Sequence, residues 1–271
     1  MDVPKPLSGG PSAPTLRVGP TGLERIPFGE AHFEDLVNCY KQQLTAPAGV
    51  WAAGLSDLAD ARAALLAAAG RDVWVTFRCD GEGRTDQGTD VLAALIVMRG
   101  MGCAAFGVET DGPEDQARQL ERIAPYATVP LLWTGDAPAP EGLTSLALGT
   151  VFEDPDVLPC ASEKEARFIT PDVDVGESLR CTPELLEDIL AAEEERPQGA
   201  LKVEILDEDD LLTFAANQYA IRDALCLWSD VPELLERALR IYQGRAFWDG
   251  TGALEPEFLA RMSRTYGLVL L

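Results

Sequence analysis

From His32 to Thr134, and again from Thr182 to Leu271, short β-branched and aromatic runs alternate with apolar stripes at helical spacing. That beat restricts the chain to a mainly parallel sheet covered by helices, because parallel neighbours need a crossover between them. In the first stretch, Phe33, Leu36, Val37 and Tyr40 mark a helix, and Val50–Leu55 reads as a strand. Ser56 is the expected cap of a helix over Asp57–Ala69, with Gly70 at its end. Val73–Phe77 is the next strand, then a helix from Asp90 to Arg99 and a strand over Cys103–Glu109. Asp111-Gly-Pro113 opens another helix with proline in its first turn, and Val129–Thr134 is a strand.

The second stretch keeps the rhythm. A helix capped at Thr182 runs to Glu195, followed by a strand at Leu201–Leu206 and a helix at Glu208–Asn217. Strands at Leu225–Ser229, Ala246–Asp249 and Gly267–Leu271 alternate with helices at Pro232–Tyr242 and Glu255–Tyr266. The fold class predicted is α/β, a (β/α)8 TIM-like barrel spanning 31–271, whose last strand pairs with its first. An open, doubly wound sheet is the alternative. Two segments fall outside the beat. Residues 1–30, dense in proline and glycine, read as an extended arm, and 136–181 reads as an irregular insertion with one strand at Arg167–Thr170.

The net charge of −23 disfavours nucleic acid and anionic membrane surfaces as partners. Neither a leader nor a stretch of about 20 apolar residues is apparent, so a cytoplasmic protein is expected. The six cysteines contain no CxxC pair and read as free thiols, with no metal site expected.

Several motifs then carry a resemblance. Val18-Gly-Pro-Thr-Gly22, Val73-Trp-Val-Thr-Phe77, Asp80-Gly-Glu-Gly-Arg-Thr85, Gly88-Thr-Asp90 and Ala105-Phe-Gly-Val108 resemble the cobalamin- and betaine-type homocysteine S-methyltransferases. The likeness covers about 16–135, the homocysteine-binding barrel. Tyr242-Gln-Gly-Arg245 and Tyr266-Gly267 resemble the pterin-binding barrel of methionine synthases, over about 225–271. The pair implies a composite of two barrels, divided as 31–135, the insertion at 136–181, and 182–271.

The departures bear on chemistry. Where the family has Gly-x-Asn-Cys, with that cysteine on zinc, this chain reads Gly107-Val-Glu-Thr110. No adjacent cysteines supply the other two ligands, and the strand that carries a glutamate for the homocysteine amino group reads Trp51-Ala-Ala-Gly54. A thiol attacks as its thiolate, and zinc keeps it deprotonated near neutral pH. Zinc is therefore not expected, and folate or a corrinoid is implied by the resemblance alone.

In a barrel, ligands sit at the carboxyl ends of the strands. The candidates there are Arg78, Cys79, Glu109, Thr110, Thr134, Glu204, Trp228 and Asp249. Glu109, Glu204 and Asp249 would converge as carboxylates for a metal such as magnesium or for acid–base work, or else cap helices or sit solvated at the rim. Trp228 and Trp248 would floor a ring, or simply pack. Arg78 would clamp a carboxylate, or pair with a neighbouring acid. Cys79, between Arg78 and nearby Arg84, is a lead for a thiol of lowered pKa. The acidic run Asp207–Asp210 is a solvated helix end or a docking face for a basic partner.

Two functions follow from the resemblance. One is a non-catalytic accessory protein of methionine and one-carbon metabolism, beside a methionine synthase or corrinoid protein. The other is a methyltransferase-type enzyme holding a small amino-acid or pterin ligand. A pocket at the strand ends favours the second, and a mouth filled by the 136–181 segment favours the first.

Overall fold

The structure, a computed structural model, describes residues 3–7, 11–25, 29–195 and 199–271. The expected arm at 1–30 lies partly outside them, at 1–2, 8–10 and 26–28. Where described, it supplies two strands, β1 (Lys5–Pro6) and β2 (Leu16–Val18). They flank β3 (Val50–Leu55), β4 (Val73–Arg78), β5 (Ala105–Glu109) and β6 (Leu131–Trp133). The sheet runs β1-β6-β5-β4-β3-β2, curled, and every neighbour is parallel except β1 on β6.

Four helices cover one face: α1 (Phe33–Gln43), α2 (Leu58–Ala67), α3 (Val91–Gly100) and α4 (Pro113–Ile123). The strand alternation assigns Val50, Ala52, Val73, Val75, Phe77, Phe106, Val108 and Leu131 to that helical side. The concave side carries Trp51, Ala53, Trp74, Ala105 and Leu132, all buried. Asp57, not Ser56, caps α2, accepting from the Ala59 amide at 2.9 Å. A carboxylate one residue later serves the same orphan donors with the added charge–dipole term.

A second sheet follows. After a hairpin, β7 (Leu158–Ala161) and β8 (Ala166–Ile169), come β9 (Ser178–Arg180), β10 (Ala200–Glu204), β11 (Ala224–Trp228), β12 (Phe247–Trp248) and β13 (Val269–Leu270). The parallel order is β13-β12-β11-β10-β9. Helices α5 (Leu185–Glu195), α6 (Glu208–Asn217), α7 (Pro232–Ile241) and α8 (Pro256–Tyr266) pack on one side. On the other side the hairpin sets Cys160 and Ile169 against Ala200, Ala224, Cys226, Phe247 and Val269. The 136–181 stretch therefore holds a plug for this sheet as well as its edge strand β9.

The last strand does not pair with the first of the regular strands: β13 bonds β12, while β3 lies between β2 and β4. Proline and glycine density around 16–18 hid β2, which lies beside β3 at the edge of the first sheet.

The halves are bonded through α2 and α3, helices with no polar face and therefore covered on all sides. Arg62 on α2 is wholly buried, and its guanidinium donates to the Leu239 carbonyl at 2.7 Å and the Gly244 carbonyl at 3.1 Å. Leu239 lies in the last turn of α7, whose carbonyls have no helical partner, so Arg62 caps a helix of the other half. Gly267, at φ +76, ends α8 against Gly100 of α3, and a Cβ there would come within 2.8 Å of the Gly100 carbonyl carbon. Among the described residues no helix is long and apolar enough to cross a membrane.

Candidate functional site

At the carboxyl ends of β4, β5 and β6, beside the start of α4, lies a cavity of about 590 Å³. It brings together four of the expected residues, Arg78, Glu109, Thr110 and Thr134. Its centre is Glu109. The Thr76 hydroxyl donates to Glu109 Oε1 at 2.5 Å, and the Gly54 amide donates to the same oxygen at 3.0 Å.

The direction of the Thr76 proton follows from its other contacts. Trp51 Nε1 and the Gly54 amide approach the Thr76 oxygen at 3.0 and 3.2 Å, and both groups are donors only. The hydroxyl proton is thus left for Glu109. Gly54 reaches this position through a bulge between Ala52 and Leu55, at φ +63, a conformation that favours glycine. Both bonds to Glu109 fall on Oε1, and among the described residues Oε2 accepts none, while Glu109 lines the cavity.

The rest of the rim is fixed by backbone contacts. Gln116 on α4 donates to the Val108 carbonyl at 2.8 Å and to the Thr134 hydroxyl at 2.7 Å. Thr110 donates to the Gly112 carbonyl at 2.7 Å, closing the turn into α4. Arg78 pairs with Asp111 at 3.2 Å, and with side chains 65% and 95% exposed that pair contributes little to stability. A ligand anion can displace Asp111 from it.

Cys79 stands apart. It is buried, and burial first, then the Asp80 charge, pushes its thiol up to about 12, against the lowered value expected from Arg78 and Arg84. Arg84 is turned away and pairs with Glu165 at 2.7 Å.

Glu204, Trp228 and Asp249 belong to the other sheet and do not meet Glu109. Glu204 pairs with Arg180 at 3.0 Å. Burial works to raise Asp249, yet its bonds from Lys202 at 2.7 Å and from Thr251 outweigh that and hold its carboxyl below the usual range. Trp228 stacks on Trp248 with centroids 6.3 Å apart, and its indole N–H donates to the Thr251 carbonyl. These are satisfied packing and ion-pair contacts. The Asp207 carboxylate caps α6, accepting from the Asp209 and Asp210 amides.

The residues missed in the sequence are Thr76, Gly54, Trp51 and Gln116. A signal existed for one of them: Thr76 is the single hydroxyl in Val73-Trp-Val-Thr-Phe77, on the side opposite the helices.

Zinc bound by three thiolates does not fit this donor set. The Thr110 hydroxyl is committed to the Gly112 carbonyl, and Cys79 is buried. Among the described residues no three His, Cys, Asp or Glu side chains gather as a metal-binding group. Compared with protein-family models and with curated protein sequences, the chain gives no match to either.

Proposed function

We propose that this chain is a homocysteine-methyltransferase-like protein that has given up zinc-dependent thiol methylation and acts as an accessory, ligand-binding protein of one-carbon metabolism. The two sheets are read as pieces of two barrels, the first like the homocysteine-binding one and the second like the pterin-binding one. The observation that carries the binding role is Glu109, fixed through Oε1 by Thr76 and Gly54 and lining a 590 Å³ cavity, with no hydrogen bond to Oε2 among the described residues.

Glu109 brings a carboxylate to Gly54 on β3, the strand from which the resemblance expects one. A protonated amine is the natural partner for Oε2, and Arg78 at the rim suits a carboxylate. A small amino acid satisfies both. The β7–β8 hairpin packs against Ala200, Ala224, Phe247 and Val269, the first residues of their strands, and not at the carboxyl ends, so the accessory role rests on the missing thiolate ligands. A corrinoid protein or a methionine synthase is the partner this reading names.

A thermal-shift panel tests it, since a ligand that prefers the native state raises its melting temperature. Homocysteine or methionine should raise the melting temperature of metal-free protein, and folates should not. One tightly bound zinc per chain, with stabilisation that depends on it, would overturn the reading.

A further inference from the structure

We infer that the cavity at Glu109, taken as the seat of an amino acid's ammonium as proposed above, prefers amino acids with a second, distal cation, which Asp136 receives. The lining is short of donors. Gln116 on α4 is 3% exposed, and its Nε2 donates to the Val108 carbonyl and the Thr134 hydroxyl. A carbonyl only accepts, so the nitrogen is fixed on that side and the amide does not turn over. The Thr110 and Thr134 hydroxyls donate to the Gly112 and Val108 carbonyls, at 2.7 and 3.2 Å. Of the side-chain donors around the cavity, Arg78 alone is left, in its exposed pair with Asp111. Acceptors are in excess: among the described residues, neither Gln116 Oε1 nor Glu109 Oε2 receives a hydrogen bond.

Charge points the same way. The lining carries three carboxylates, Glu109, Asp111 and Asp136, against the one guanidinium of Arg78. A zwitterionic ligand brings no net charge and leaves that excess as it is, whereas a second cation reduces it. Asp136 follows β6 at the rim and is exposed, and its carboxylate makes no hydrogen bond or ion pair with any described residue. A lysine-like ligand then has its carboxylate at Arg78, its α-ammonium at Glu109 and Gln116, and its distal ammonium at Asp136. Only two lining side chains lack a polar atom, Pro113 and Ala137, a small surface for the end of a thioether or alkyl chain.

Isothermal titration of the full, metal-free chain compares L-lysine with L-norleucine, the same side chain without its distal nitrogen. At low ionic strength, lysine should bind about fivefold more tightly, the upper worth of one exposed ion pair. The preference should shrink in concentrated sodium chloride, which screens exposed charges. Asp136→Asn, a change at an exposed side chain, should bring the two ligands to equal affinity. Equal affinity of the wild type for lysine and norleucine, or a lysine preference that Asp136→Asn leaves intact, overturns the role of Asp136 while Glu109 keeps its amino acid. Binding of neither ligand, or Nα-acetyl-L-lysine bound as tightly as lysine, overturns both that role and the ammonium seat at Glu109.

Discussion

Thr76 on β4 hands its only hydroxyl proton to Glu109 on the neighbouring β5, across 2.5 Å. The two side chains leave the sheet on the same concave side, where Thr76 also receives Trp51 from β3. Three adjacent strands are thereby joined by side chains above their backbone ladder, and the outcome is a carboxylate of fixed position.

Removing the hydroxyl should therefore cost more than one hydrogen bond. Thr76→Val leaves the Trp51 indole N–H without its acceptor in a buried site, at a cost of about 1–3 kcal/mol. Thr76→Ser retains the acceptor and should lose less than half of that. Urea unfolding followed by tryptophan fluorescence separates the two. Equal losses would mean that the methyl group, not the hydroxyl, is what matters.

Arg62 makes a second prediction, about the contact between the halves. It has no carboxylate partner in the described structure, so its buried charge is held only by the Leu239 and Gly244 carbonyls. Burial brings its pKa down to about 10, still protonated at neutral pH. Arg62→Ala leaves a cavity and an uncapped α7 end and should destabilise by about 3 kcal/mol. Arg62→Met fills the space and removes the buried charge, and should lose clearly less. Denaturant midpoints at constant slope would decide it.

Asp57 predicts a pH dependence of definite sign. Burial raises its pKa, and the nearby Arg25 charge and the Ala59 amide only partly counter this. A carboxyl raised in the folded state contributes stability below its unfolded value, about 3.9, and loses it as pH rises through the folded one. Asp57→Asn keeps an N-cap oxygen without the charge. The variant should be more stable than wild type at pH 8, with the gain shrinking towards pH 4. A gain independent of pH would refute the assignment.

Thiol reactivity provides a fourth check. Burial raises the Cys79, Cys103, Cys160 and Cys181 thiols to about 12 and lifts Cys226 as well. In native protein at pH 8, iodoacetamide should leave all five largely unmodified while labelling every cysteine in urea. Peptide mass spectrometry reads this directly. Fast native labelling at Cys79 would restore it as a reactive thiol.

The strand–helix beat was legible because apolar period survives in a single sequence, and the helix expected from Glu208 to about Asn217 corresponds to α6. The edge of the first sheet was not legible, because it depends on which short segment pairs there. β2 is three residues long and sits among glycines and prolines that read as an arm. α2 and α3 did carry a sign of what lay outside them. Val91-Leu-Ala-Ala-Leu-Ile-Val-Met98 has no polar face, so something had to cover its far side, here the hairpin and α8.

The site was half legible for the same reason. Arg78, Glu109, Thr110 and Thr134 stand at ends of neighbouring strands, so strand order alone unites them. Glu204, Trp228 and Asp249 share strand-end positions but belong to another sheet, and one sequence does not show that separation. The Cys79 environment depends on burial and Asp80, which nearby arginines in the sequence concealed.

Isothermal titration of metal-free protein with L-homocysteine and L-methionine tests the central claim most directly, alongside Glu109→Gln. The account predicts one site per chain in the wild type without added zinc, and at least tenfold weaker binding once Oε2 is replaced by an amide, the loss of one charge-assisted hydrogen bond of about 1.5–3 kcal/mol. Undiminished binding by Glu109→Gln, or binding by wild type only when zinc is supplied, would contradict it.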